Sequence, residues 1–95
     1  MLPVALVFVV TGCVAQPPVQ EMSDARQAIA VAKEAGADVS AAEDFRAAEA
    51  YLDSAQRKLS ERSYAEARRD AQQAKSKALD ALAIAEQSKS YEPRR

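Results

Sequence analysis

From Ser63 to Ala85 the chain reads SYAEARRDAQQAKSKALDALAIA, and the spacing within this stretch decides the fold. Tyr64, Ala67, Ala71, Ala74, Ala78, Ala81 and Ala85 recur at unbroken 3-4 spacing, which stacks them along one face of an α-helix. Ser63-Tyr64-Ala65-Glu66 opens the stretch as a capping box. In such a box the Ser hydroxyl and the Glu carboxylate each satisfy a backbone amide left without a partner at the helix start. Alanine at nearly every contact position lets a neighbouring helix approach closely, toward the short end of the roughly 8–10 Å range of axis separations.

Working upstream, two more helical segments supply neighbours for this one. Ser40-Ala41-Ala42-Glu43 has the form of a second capping box, followed by a seam of Ala41, Phe45, Ala48, Leu52, Ala55 and Leu59. The link around Ser60-Glu61-Arg62 is too short for a crossover, so these two helices are expected to form an αα-hairpin. A further segment, from about Ser23 to Ala35, repeats Ala25, Ala28, Ala32 and Ala35 and ends at Gly36, a residue suited to the left-handed position just past a helix. The expectation is an all-α fold, a small antiparallel three-helix bundle of an αα-hairpin plus an N-terminal helix, over residues 23–90. Large apolar side chains are few, chiefly Ile29, Phe45, Leu52, Leu59, Leu79 and Leu82. Each contributes only about 1.5–3 kcal/mol on burial, against about 1–2 kcal/mol of backbone entropy per ordered residue, so stability should be marginal and self-association or a partner helix is a natural complement.

Composition narrows the function classes. The chain carries 13 basic and 14 acidic side chains, and a net charge of −1 argues against nucleic-acid binding. It has no His and a single Cys. That inventory offers neither a transition-metal cluster nor an intramolecular disulfide, and no metal or cofactor site is expected.

The Cys falls at an informative place. Leu2–Val10 is an uncharged apolar run, too short for the roughly 20 residues that span a bilayer, and it leads into Val10-Thr11-Gly12-Cys13. This stretch resembles a bacterial lipoprotein signal peptide. The resemblance implies cleavage between Gly12 and Cys13, a covalent lipid on Cys13 and removal of residues 1–12. Cys13 is followed by Val14-Ala15-Gln16-Pro17-Pro18-Val19-Gln20, whose paired prolines suggest an extended tether over residues 13–22. Those seven residues reach at most about 23 Å, keeping the domain near the headgroups. Val14, where an Asp would retain a Gram-negative lipoprotein at the inner membrane, implies the outer membrane, facing the periplasm. Residues 91–95 read as a C-terminal tail, with Pro93 ending the helical pattern.

A second resemblance covers most of the helical region. Ser23-Asp24-Ala25-Arg26-Gln27-Ala28-Ile29 through Ala32 and Ala35-Gly36-Ala37, then Phe45-Arg46-Ala47-Ala48, Leu52-Asp53-Ser54-Ala55 and Tyr64-Ala65-Glu66-Ala67, resemble the domain-of-unknown-function family 4398. Its members are small alanine-rich bacterial envelope proteins, frequently lipoproteins. The family usually has Tyr-Ala-Pro before its second helix, where Ser40-Ala41-Ala42 stands here. The resemblance implies a location and a fold, and no activity. A weaker similarity, to a single tetratricopeptide repeat, rests on Ala55, Tyr64, Ala67, Ala71 and Ala74, but any close-packed hairpin needs small residues at that spacing.

No nucleophile, base and orienting group can be assembled from these residues, so catalysis is not expected. Pairs such as Glu43 with Arg46, Asp53 with Arg57 and Glu66 with Arg69 read as solvated helix-face partners. Arg57, Lys58, Arg62, Arg68 and Arg69 surround the hairpin turn and are the candidate anion contacts. Tyr51, Tyr64, Val31 and Ile84 are the candidate partner contacts. Two readings follow. One is a lipid-anchored interaction or scaffold module of the bacterial envelope, engaging a protein partner or itself. The other is a binding module for peptidoglycan or a periplasmic peptide or ligand, through the basic tip or a tetratricopeptide-like groove.

Overall fold

The computed structural model describes residues 16–90; the expected signal peptide, Gly12, Cys13 and the tail at 91–95 lie outside them. Within that range the chain is all-helical, with four helices that pack together: α1 (Val19–Glu34), α2 (Ala37–Ser40), α3 (Ala42–Ser60) and α4 (Tyr64–Ser90). None of these is long and apolar enough to cross a membrane.

Three packed levels fix how the long helices run. Met22, Ala55 and Ala71 meet at one end, with Leu52 and Leu59 against them. Ala28, Ala48 and Ala78 meet at the middle, and Ala32, Phe45, Ala81 and Ala85 at the far end. Residue numbers rise along α1 and α4 through these levels and fall along α3, so α3 runs opposite to both. The buried face of α4 is the alanine seam read from the sequence: Ala67, Ala71, Ala74, Ala78 and Ala81 are all fully buried, and Ala85 nearly so. Methyl groups along this face let neighbouring helices approach closely, and Met22, Ile29, Phe45, Leu52 and Leu59 fill the remaining space between them.

Two expectations at the helix starts are corrected. α1 begins at Val19 rather than Ser23, because Pro18 starts a helix instead of extending a tether. Proline has no N–H to leave unpaired and its φ is already near-helical; here Pro18 sits at φ −79° and its carbonyl accepts from the Met22 amide at 3.0 Å. The extra turn delivers Met22 to the core, 2% exposed. The expected box at Ser40 does not form. The chain turns through Gly36 at φ 84° and immediately makes the one-turn helix α2. Ser40 closes that turn, its hydroxyl donating to the Gly36 carbonyl at 3.1 Å. α3 is then entered from Ala41 without a side-chain cap. The added turn buries Ala37, which the three-segment reading leaves between helices, beside Ala41, Phe45 and the end of α4.

The α3–α4 link is as short as expected, and its geometry displaces the box expected at Ser63. Arg62 adopts φ 62°, its amide donates to the Leu59 carbonyl at 3.0 Å and the Ser63 amide to the Lys58 carbonyl at 2.8 Å. That bond pair is a Schellman motif with arginine in the left-handed position usually held by glycine. Since the Ser63 amide is already engaged, Glu66 has no donor to fold back upon and turns to Lys58 instead, 3.2 Å away.

Candidate functional site

The basic residues singled out in the sequence do gather at one end of the molecule, where the α3–α4 turn meets the start of α1. Carboxylates gather with them. Arg57 pairs with Asp53 one turn away. Lys58 lies between Glu66 at 3.2 Å and Asp70 at 3.8 Å, and Asp70 also accepts the Ser54 hydroxyl at 2.6 Å. Arg68 reaches from α4 to α1, donating from Nε to Glu21 at 3.1 Å and from a terminal nitrogen to the Gln16 carbonyl at 3.0 Å. Among the described residues, Arg62 and Arg69 have no ion-pair partner. The anticipated Glu66–Arg69 pair is therefore replaced by one across the hairpin. The tip is a laced array of both signs rather than a free cationic patch, which weakens its pull on an anion.

Arg68 has a structural consequence beyond charge. By contacting both Glu21 and the Gln16 carbonyl it places the incoming chain beside α4 at Gln16. Only the residues between Cys13 and Gln16 then separate the expected lipidation position from a held point, a reach of about 10 Å.

The candidate partner contacts are dispersed. Tyr51 and Tyr64 are half-buried on α3 and at the start of α4. Val31, 43% exposed, lies in a shallow groove of about 230 Å³ between α1 and α4, together with Gln27, Lys75, Leu79 and Leu82 over a floor of Ala28. Ile84 is exposed but takes no part in that groove. It stands five residues from Leu79, about 140° round the helix, and faces the other flank of α4. The small residues that suggested a tetratricopeptide-like pair, Ala55, Ala67, Ala71 and Ala74, are all buried between helices and line no groove.

Leu79, counted among the core side chains in the sequence, is instead 46% exposed, while Leu82 is half-buried beside it. The signal was available in the spacing: Leu79 and Leu82 are off the Ala78–Ala81 seam and belong with Lys75 and Glu86 to a second 3-4 series. A Lys75–Asp24 pair at 3.9 Å closes one end of the groove. The described residues hold no group of His, Cys, Asp or Glu placed to bind a metal ion.

Comparison with curated proteins and with solved structures found no match. The family assignment comes instead from the helical region itself: residues 20–93 match the domain of unknown function DUF4398, and the chain belongs to that family.

Proposed function

We propose that the protein is a lipid-anchored interaction module of the bacterial envelope, without catalysis. In this reading Cys13 carries the lipid, and the three long helices form a close-packed antiparallel bundle clasped by α2, displayed at the outer membrane on its periplasmic side. The observation that carries the reading is Val10-Thr11-Gly12-Cys13 at the end of the apolar run Leu2–Val10, followed within six residues by the helix start at Val19. An anchor so near a folded domain, with Arg68 contacting the chain at Gln16, confines the module to the membrane surface. Exposed aliphatic side chains on α1 and α4 favour a protein contact over a soluble-ligand pocket. The anion-binding alternative draws less support, since Arg57, Lys58 and Arg68 are already engaged by carboxylates.

The test is mass spectrometry of the N-terminal peptide from membrane fractions of wild type and Cys13→Ala. A chain starting at Cys13 with an acyl mass increment, lost from membranes in the variant, is the expected result. An unmodified chain that still starts at Met1 overturns the anchor.

A further inference from the structure

Lys75, Leu79, Leu82 and Glu86 follow one another along α4 at 4-3-4 spacing, forming a stripe about a quarter-turn from the buried alanine seam. Two aliphatic residues lie at its centre, a cation before them and an anion after them. The stripe is symmetric about the point between Asp80 and Ala81. If a second α4 is laid against it in the opposite direction about a two-fold axis through that point, Leu79 meets Leu82 of the other copy. The same operation brings Lys75 to the other copy's Glu86, twice. Such self-complementarity is what an isologous interface requires, and opposite charges at the flanks of a short apolar contact are what select an antiparallel register.

Neighbouring geometry agrees with this placement. Leu79 and Val31 are 46% and 43% exposed at the α1–α4 groove while Leu82 is half-buried against the core, so the apolar centre is open on its Leu79 side. Lys75 keeps half its side-chain surface exposed despite Asp24 at 3.9 Å, leaving it able to take a second carboxylate. Glu86 is exposed and has no ion-pair partner among the described residues.

We infer that this face of α4 is a docking surface for a second copy of the chain, paired antiparallel through Leu79, Leu82, Lys75 and Glu86. The inference rests on the proposed interaction role in taking this face to be a protein contact, and it holds with or without the lipid. The contact is only about 17 Å long, at the lower end of interface sizes, so association is weak in solution and strengthened when anchors confine the chains. Because the pair is antiparallel, the two N-terminal ends leave from opposite ends of the dimer. Two chains anchored in one membrane then associate with their helices lying along its surface.

The test is sedimentation equilibrium of the full chain in density-matched detergent, with circular dichroism as the check on folding. Wild type is expected to dimerise reversibly, and Leu79→Asp to raise the dissociation constant by about tenfold or more. Lys75→Glu alone should weaken the dimer and the Lys75→Glu/Glu86→Lys exchange should restore it. That rescue cannot arise within one chain, because positions 75 and 86 are about 17 Å apart on the same helix. A chain monomeric up to about 1 mM, where even weak complexes of a few kcal/mol are populated, overturns the inference. So does a dimer indifferent to both single substitutions, or a charge exchange that fails to restore it. Mass measured at Cys13 on the same samples reads the anchor separately, so a monomeric but acylated chain refutes the dimer and leaves the anchor standing.

Discussion

The inner and outer faces of α4 invert the usual division of labour in an amphipathic helix. Inside are the smallest side chains, Ala67 through Ala85, fully or almost fully buried; outside are Leu79 and Ile84, each at least 40% exposed. Size thus runs opposite to burial. The inner face depends on the closeness of backbones, which larger groups would spoil. The outer face carries aliphatic bulk that the monomer covers only in part, and the uncovered part is available for contact with another chain.

The largest effect should come from Phe45, the one aromatic side chain buried against the inner face. Where α2 adds its turn, Phe45 fills the space between Ala32, Ala37 and the end of α4. Phe45→Ala is expected to cost about 3–5 kcal/mol, enough to leave so small a domain largely unfolded by urea titration. A loss below about 1 kcal/mol, typical of surface truncation, would place the core elsewhere. Next, Ala71→Leu forces a side chain between Met22 and Ala55, and should lower stability by about 1–3 kcal/mol as the backbones are pushed apart. Stabilisation by this change would break the claim that alanine is required there.

Smaller effects distinguish the two links that position α4 and its partners. Both place one residue in the left-handed region, Gly36 before α2 and Arg62 before α4. A Cβ added at Gly36 meets nothing within 4 Å, so Gly36→Ala should cost only the conformational strain, about 1 kcal/mol. Arg62→Gly should shift stability the other way, raising it by about 0.5 kcal/mol once the entropy of glycine is deducted. Thermal unfolding of both variants checks the opposite signs; a loss at position 62 would show that the arginine side chain contributes more than its strained backbone costs.

Much of this architecture was legible from residue spacing. The inner face of α4, the seam of α3 and the brevity of the hairpin turn follow from 3-4 periodicity, and Gly36 marks the first turn as expected. What the periodicity missed depends on local chemistry that competes with a simpler rule. Paired prolines suggest an extended tether, yet Pro18 starts α1 and carries Met22 inward. Ser40 fits a capping box, yet its hydroxyl bonds to Gly36 and closes α2. Ser63 and Glu66 fit another, yet the Schellman bond takes the amide first. The basic tip was legible in composition, but not its neutralisation: Glu21 lies 47 positions from Arg68, and only the fold brings them together. Leu79 was misplaced because hydrophobic character alone does not say which of two 3-4 series faces inward.

Ala78 and Leu79, neighbours in the chain on different faces of one helix, give the most direct test. Urea unfolding at low micromolar concentration would compare Ala78→Leu with Leu79→Ala. The account predicts a loss of about 1–3 kcal/mol from enlarging the buried alanine, and a loss of at most about 1 kcal/mol from truncating the exposed leucine. The reverse order, with the enlarged alanine tolerated and the truncated leucine severely destabilising, would mean that α4 turns its leucines to the core, contradicting the account.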